Sequence, residues 1–150
     1  MMDKRQMIPA AGLLATVVAA VYMVVQLNGQ AAQPTTDVTK AALAEVRNAQ
    51  GQAILSGQFQ LVEEEDGDVE RKAVLAPTGA DPDATGEAEI EFSKSAPTEQ
   101  EVEFSVRNVA PGAVLTFVID GTHVATATAD KRGRAEVELD VRMPGARVSR

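Results

Sequence analysis

The chain has 150 residues, a net charge of −8 at neutral pH and no cysteine. The absence of cysteine excludes disulfide bonds, thiolate metal ligands and thiol catalysis. The negative charge disfavours nucleic acid and anionic lipid headgroups as partners, because both are themselves negatively charged.

The N-terminal part of the chain contains the strongest signal for a membrane helix. Residues 8–27 carry no charge, and they follow the basic residues Lys4 and Arg5. A helix of about twenty apolar residues spans a hydrocarbon core about 30 Å thick. Because basic residues are retained on the cytoplasmic side, the sequence predicts a cytoplasmic N-terminus over residues 1–7. It predicts a single transmembrane helix over 8–27, with the C-terminal domain outside the cytoplasmic membrane.

The same segment also has features of a cleavable secretory signal. Signal peptides combine a basic start with an apolar stretch of about 7–15 residues and a cleavage site of small residues. Residues 29–31 offer only a Gly-x-Ala version of that site. Cleavage near Ala31, which would release a secreted protein, is therefore the alternative to an anchor. Assembly of the hydrophobic helix into a filament is a third use of such a segment.

Three further regions follow the hydrophobic segment. Residues 28–43 are predicted to be a polar tether, residues 44–142 a β domain and residues 143–150 a C-terminal tail. Near the end of the tether, Asp37 is a candidate cap for a helical turn that reaches Ala44.

Extended segments dominate the first half of the β domain. They are predicted near residues 45–48, 52–62 and 69–76. Gly57 is a candidate β-bulge in the second of these segments, and Pro77 ends the third.

Alternation of apolar and polar residues is cleaner in the second half. Residues 86–92, 100–106 and 134–141 place apolar side chains on one face and mostly acidic ones on the other, a pattern typical of antiparallel strands. The segment 113–119 is apolar on both faces and fits a central strand. Asp120-Gly121 predicts a two-residue hairpin, and residues 130–133 a second one, so that the last four strands would form a meander. We predict an all-β domain of seven or eight strands, an antiparallel β-sandwich rather than a small barrel.

Aromatic residues are scarce in the part of the chain beyond the hydrophobic segment. It has no tryptophan or tyrosine, and its four phenylalanines all fall in predicted strands and are expected in the core. Exposed aromatic side chains commonly bind carbohydrate and single-stranded nucleic acid. Neither a small-molecule substrate nor a nucleic acid is therefore expected.

Acidic residues concentrate in two predicted loops, Glu63–Asp68 and the segment with Asp81 and Asp83. Carboxylate oxygens are suitable ligands for calcium, but the EF-hand spacing is absent. We interpret both loops as solvated surface and assign no metal site. The glutamates that alternate along the strands would act as catalytic carboxylates of a glycosidase only if they lay inside a cleft. On a flat sheet face they make a soluble surface that discourages edge pairing.

No catalytic motif is present. His123 is the only histidine, and we expect it to be an exposed strand residue. No serine lies in a nucleophile-elbow context. Nucleotide-binding loops and the zincin motif are absent too. The chain is therefore expected not to be an enzyme and to need no cofactor.

The stretch from Ala44 to Arg142 resembles exported domains of bacterial membrane-anchored and secreted proteins. The resemblance rests on EVRNAQGQAILSGQF and on EVEFSVRNVAPGAVLTFVIDGTHVATATADKRGRAEVELDV. It implies a β fold with a Pro-Gly turn, an Asp-Gly hairpin and a D-x-x-G turn, and it implies no activity. Taken together, we expect a membrane-anchored extracytoplasmic domain with a structural or protein-binding role. The alternative is a secreted binding module released by cleavage near Ala31, with its acidic loops as candidate calcium ligands.

Overall fold

The structure is a computed structural model that describes residues 36–142. The predicted membrane segment 8–27, the start of the tether and the tail 143–150 lie outside these residues. Within residues 36–142 no helix is long and apolar enough to cross a membrane.

Residues 36–142 form nine strands and no helix, which confirms the all-β class and adds at least one strand to the predicted count. All of the strand pairs are antiparallel. The strands are β1 Leu43–Arg47, β2 Ala53–Gln58, β3 Gln60–Glu65, β4 Asp68–Pro77, β5 Thr85–Ser93, β6 Ala96–Arg107, β7 Val114–Ile119, β8 Thr122–Thr128 and β9 Ala135–Arg142.

The strands make one continuous sheet that is nearly barrel-shaped. Its order is β8-β7-β1-β2-β4-β5-β6-β9, and β3 lies off this path, paired with β4. The end strands β8 and β9 lie next to each other without forming a ladder. The sheet therefore curls around one core without closing.

The predicted meander of the last four strands is wrong. The β7–β8 hairpin forms at Asp120-Gly121, where both residues have positive φ, as predicted for an Asp-Gly turn. However, β6 pairs with β9, and β7 pairs with β1. The turn at residues 130–133 therefore connects two parts of the sheet instead of closing a hairpin. Its Gly133 packs so closely on the loop after β6 that a Cβ there would overlap the carbonyl oxygen of Val109.

The predicted long strand 52–62 is divided into β2 and β3. Phe59 separates them because its side chain turns into the core and its N–H donates to the carbonyl of Ala42 at 2.9 Å. Gly57 pairs in regular register with Ala44 and is not a bulge between β1 and β2. Its missing side chain instead lets the backbone of Val74 approach closely.

The predicted acidic loop over residues 63–68 is a tight hairpin. Three glutamates of the stretch belong to β3, and Asp68 begins β4. The turn itself is only Asp66-Gly67, with φ of 50° and 94°. It therefore uses the same dipeptide chemistry as the turn at Asp120-Gly121.

The core is filled by apolar side chains from eight of the strands and the loops between them. Phe104 and Phe117 lie at its centre, both fully buried, with ring centroids 5.0 Å apart and ring planes tilted by 55°. Phe59 is buried as predicted, whereas Phe92 is half-buried at the margin.

The residues that lead into β1 are attached to the sheet at two points. The N–H of Val38 donates to the side-chain carbonyl of Gln100 at 2.8 Å, and Val38 is fully buried. Further along, the N–H groups of Ala42 and Leu43 donate to the Asp120 carboxylate at 3.1 and 2.8 Å. A single turn forms at residues 39–40, where the N–H of Ala41 donates to the carbonyl of Val38 at 3.0 Å and the N–H of Thr39 donates to the Asp37 carboxylate at 2.9 Å, as expected for a cap. It does not continue as a helix to Ala44, because β1 begins at Leu43.

Candidate functional site

A row of carboxylates crosses the outer face of five adjacent strands. Register places one acidic residue of each strand opposite the next, and we call this set the acidic row: Glu63, Glu70, Glu91, Glu101 and Asp140. In β5, β6 and β9 their neighbours along the strand point inward and are apolar or, at Gln100, buried and hydrogen-bonded, whereas β3 is exposed throughout. Period-two alternation in these three strands and the pairing between all five strands together produce the row.

Two residues along β4 and β5 from the acidic row, the same face carries an ion pair between the two strands. It is the only ion pair between β4 and β5 in the described residues. Lys72 Nζ lies 2.8 Å from Glu89 Oε2. The glutamate's hydrogen bond and negative charge raise the pKa of Lys72 above its ordinary value. Because both side chains remain partly exposed, this pair contributes little to stability. Among the side chains that the structure describes, no member of the acidic row forms an ion pair.

Three carboxylates converge on the outer face of β4 and β5. One oxygen each from Glu70, Glu89 and Glu91 lie within 4.8 Å of one another. Partial burial, followed by the hydrogen bond with Glu89 and its charge, raises the pKa of Glu91 above its ordinary value. Like charges held this close favour protonation or a bound cation.

A hollow of about 620 Å³ opens beside the β3–β4 hairpin, next to this cluster. Acidic side chains contribute most of its lining, and the half-buried Phe92 is the one aromatic residue there. The lining includes Glu65, Asp68, Glu91, Glu99, Glu101 and Asp140. Its chemistry therefore suits a cationic group more than a sugar, because Phe92 alone among the lining residues carries an aromatic ring.

The strand β3 borders this region and has one unpaired edge. It pairs only with β4, and no other strand of residues 36–142 lies on its far side. All six of its residues are exposed, including two consecutive aliphatic residues, Leu61 at 60% and Val62 at 56%. A register shift between Leu61 and Glu63 marks a bulge at this point.

The sequence-predicted candidate residues are spread over the domain. Glu63 belongs to the acidic row, whereas Asp81 and Asp83 lie in the loop between β4 and β5, away from the cluster of three glutamates. His123 is exposed on β8, as predicted, and its Nε2 is 2.9 Å from Thr126 Oγ1. Sequence reasoning missed the glutamate cluster, because its members come from two strands whose register the alternation alone does not define.

Comparison with protein-family models, with curated proteins and with solved structures finds no match to this chain.

Proposed function

We propose that this chain is a single-pass membrane protein whose acidic β domain stands outside the cytoplasmic membrane and binds another protein. The observation that carries the proposal is the uncharged run over residues 8–27 directly after Lys4 and Arg5. Such a run is long enough to span the membrane, and the basic flank places the β domain outside.

The surface of the β domain supports a binding role more than a catalytic one. The hollow is lined by carboxylates, and the single histidine lies exposed on β8 beside a threonine. We further propose that the domain is organised as a β-sandwich, in which β8-β7-β1-β2 face β4-β5-β6-β9. In this arrangement one edge strand and one acidic face remain accessible to a partner.

Site-specific labelling tests the location, because the chain has no native cysteine. Lys131→Cys places a thiol in an exposed turn of the β domain, and Gln6→Cys places one before the hydrophobic segment. We expect a membrane-impermeant maleimide to label the first variant in intact spheroplasts and the second only after lysis. Labelling of both variants only after lysis would overturn the proposed location.

Intact mass of the membrane and soluble fractions then separates an anchor from a signal. A full-length chain in the membrane fraction supports the anchored protein. A soluble chain that begins near Ala32 supports the secreted module instead.

Calcium binding is a second candidate, favoured by the convergence of Glu70, Glu89 and Glu91. Calcium takes six to eight oxygen ligands, and three bidentate carboxylates can supply that number. The ion pair of Lys72 with Glu89 competes with such binding. If calcium binds there, it raises the melting temperature of the wild type but not of Glu91→Gln, while Asp83→Asn, in the distant loop, behaves as wild type. Equal melting temperatures with and without calcium would exclude this function.

A further inference from the structure

We propose that the open edge of β3 receives an extended segment of a partner protein as an additional antiparallel strand. The partner segment alternates Lys or Arg with Val, Ile or Leu. The inference rests on the proposed protein-binding function and names the surface and the chemistry of the partner.

The first argument is the free backbone of β3. In an antiparallel pair, about half of the N–H and C=O groups of an edge strand point away from its neighbour. The end strands β8 and β9 lie beside each other, whereas β3 lies off the path of the sheet and has all of its residues exposed. Among the strands of residues 36–142, β3 therefore presents the most accessible edge for strand addition.

The second argument concerns the side chains on that edge. Leu61 and Val62 expose more than half of their surface, and Val74 of the neighbouring strand exposes 77%. Charges and bulges protect edge strands from association, and β3 has glutamates at 63–65 and a bulge before them, but its first half carries no charge. Two adjacent exposed aliphatic residues instead offer apolar area that a partner strand can bury.

The third argument is charge complementarity, which selects between a second copy and a basic partner. Residues 63–65 are all glutamate, and full antiparallel overlap of two β3 strands places each of them opposite Gln60, Leu61 or Val62, so a second copy supplies no lysine or arginine to face them. Like charges on paired strands are destabilising, whereas opposite charges stabilise the pair. Glu64 forms an ion pair with Lys94, whereas Glu63 and Glu65 line the acidic hollow. A partner with basic residues at alternate positions matches these two glutamates.

A peptide titration of the full chain in a neutral detergent tests the proposal. The probe is an acetylated and amidated peptide of three Lys-Val repeats. The control peptide has the same sequence with N-methyl groups on alternate residues, which keeps the charge and removes backbone donors. We expect the control to bind at least about tenfold more weakly, which corresponds to about 1.4 kcal/mol. Hydrogen exchange of the amides at residues 60–65 should slow when the unmodified peptide binds.

Matched charge reversals locate the binding edge. The double variant Glu63→Lys with Glu65→Lys alters β3, and Glu136→Lys with Glu138→Lys makes the same charge change on β9. We expect the first to weaken binding about tenfold and the second by less than about twofold. Equal binding of the two peptides, or an equal loss in both double variants, would overturn strand addition in favour of unspecific charge attraction. The exchange measurement uses wild-type protein and decides the question even if a variant fails to fold.

The two proposals can fail separately. The labelling experiment tests where the domain lies, and the peptide titration is made on purified protein irrespective of location. Failure of peptide binding with correct external labelling would leave an exported domain that uses another surface.

Discussion

The side chain of Gln100 on β6 joins Val38, near the start of the described residues, to the sheet. Its carbonyl oxygen accepts a hydrogen bond from the N–H of Val38, 62 residues earlier, at 2.8 Å. Its amide group donates to the carbonyl of Pro97 at 2.7 Å and to the Asp37 carboxylate at 3.1 Å. Gln100 is the one buried polar residue in the described part of the chain, and both its side-chain oxygen and its side-chain nitrogen are hydrogen-bonded.

Replacing this residue should loosen the N-terminal segment. Gln100→Ala leaves the buried N–H of Val38 without a partner, and we expect the free energy of unfolding to fall by about 2–3 kcal/mol. The exposed Gln60→Ala on β3 should change it by less than about 0.5 kcal/mol. Urea unfolding of both variants measures the difference. A similar loss in the two variants would show that Gln100 does not fasten the segment.

Truncation of the central aromatic pair should be costly. Phe104→Ala removes a fully buried ring that contacts Phe117, so we expect a loss of about 3–5 kcal/mol. Phe92→Ala removes a half-buried ring and should cost about half as much. Thermal and urea unfolding compare the two, and equal losses would contradict a core centred on Phe104 and Phe117.

Two glycines with similar backbone angles should respond differently to alanine. Gly133 and Gly51 have φ of 71° and 77°, but a Cβ at Gly51 meets open space. Gly51→Ala should cost about 1 kcal/mol, from the left-handed conformation alone. Gly133→Ala adds overlap with the Val109 carbonyl, and we expect a loss of about 2–4 kcal/mol. Melting temperatures measured side by side test whether close packing, rather than φ, distinguishes the sites.

Two carboxyl groups should affect the pH dependence of stability with opposite signs. Burial and then Glu89 raise the pKa of Glu91 in the folded state. Between the unfolded and folded pKa values the folded state binds more protons, so stability falls as pH rises through that window. Glu91→Gln should therefore raise the melting temperature at pH 7, and the gain should shrink as pH falls below the raised pKa.

Asp130 provides the opposite case. The backbone N–H groups of Arg134 and Arg132 hydrogen-bond to its carboxylate and lower its pKa below 3.8. Its contribution is present above the unfolded value and is lost as pH falls through the lowered folded value. Asp130→Asn should lower the melting temperature at pH 7 and approach the wild type near pH 3. Melting curves from pH 3 to 7 test both variants, and shifts of the same sign at pH 7 would contradict this assignment.

The alternation within single strands made the all-β class and much of the strand pattern predictable from the sequence. Apolar residues at every second position in residues 86–92 and 134–141 define a buried face whatever the neighbouring strand is, and Asp120-Gly121 specifies its turn through local backbone angles. Asp66-Gly67 makes the same kind of turn, but the sequence did not predict it, because the run of acidic residues around it has the composition of a loop.

Strand order and the candidate site were decided only by tertiary structure. Pairing of β6 with β9 and of β7 with β1 joins residues that are distant in sequence, and alternation is satisfied equally well by a meander. The acidic row and the cluster of Glu70, Glu89 and Glu91 follow from the register of β4 with β5, which the packing of the core selects. The open edge of β3 arises because Phe59 turns into the core and separates that strand from β2. Local patterns specify which face of a strand is buried, whereas long-range packing specifies which strands become neighbours.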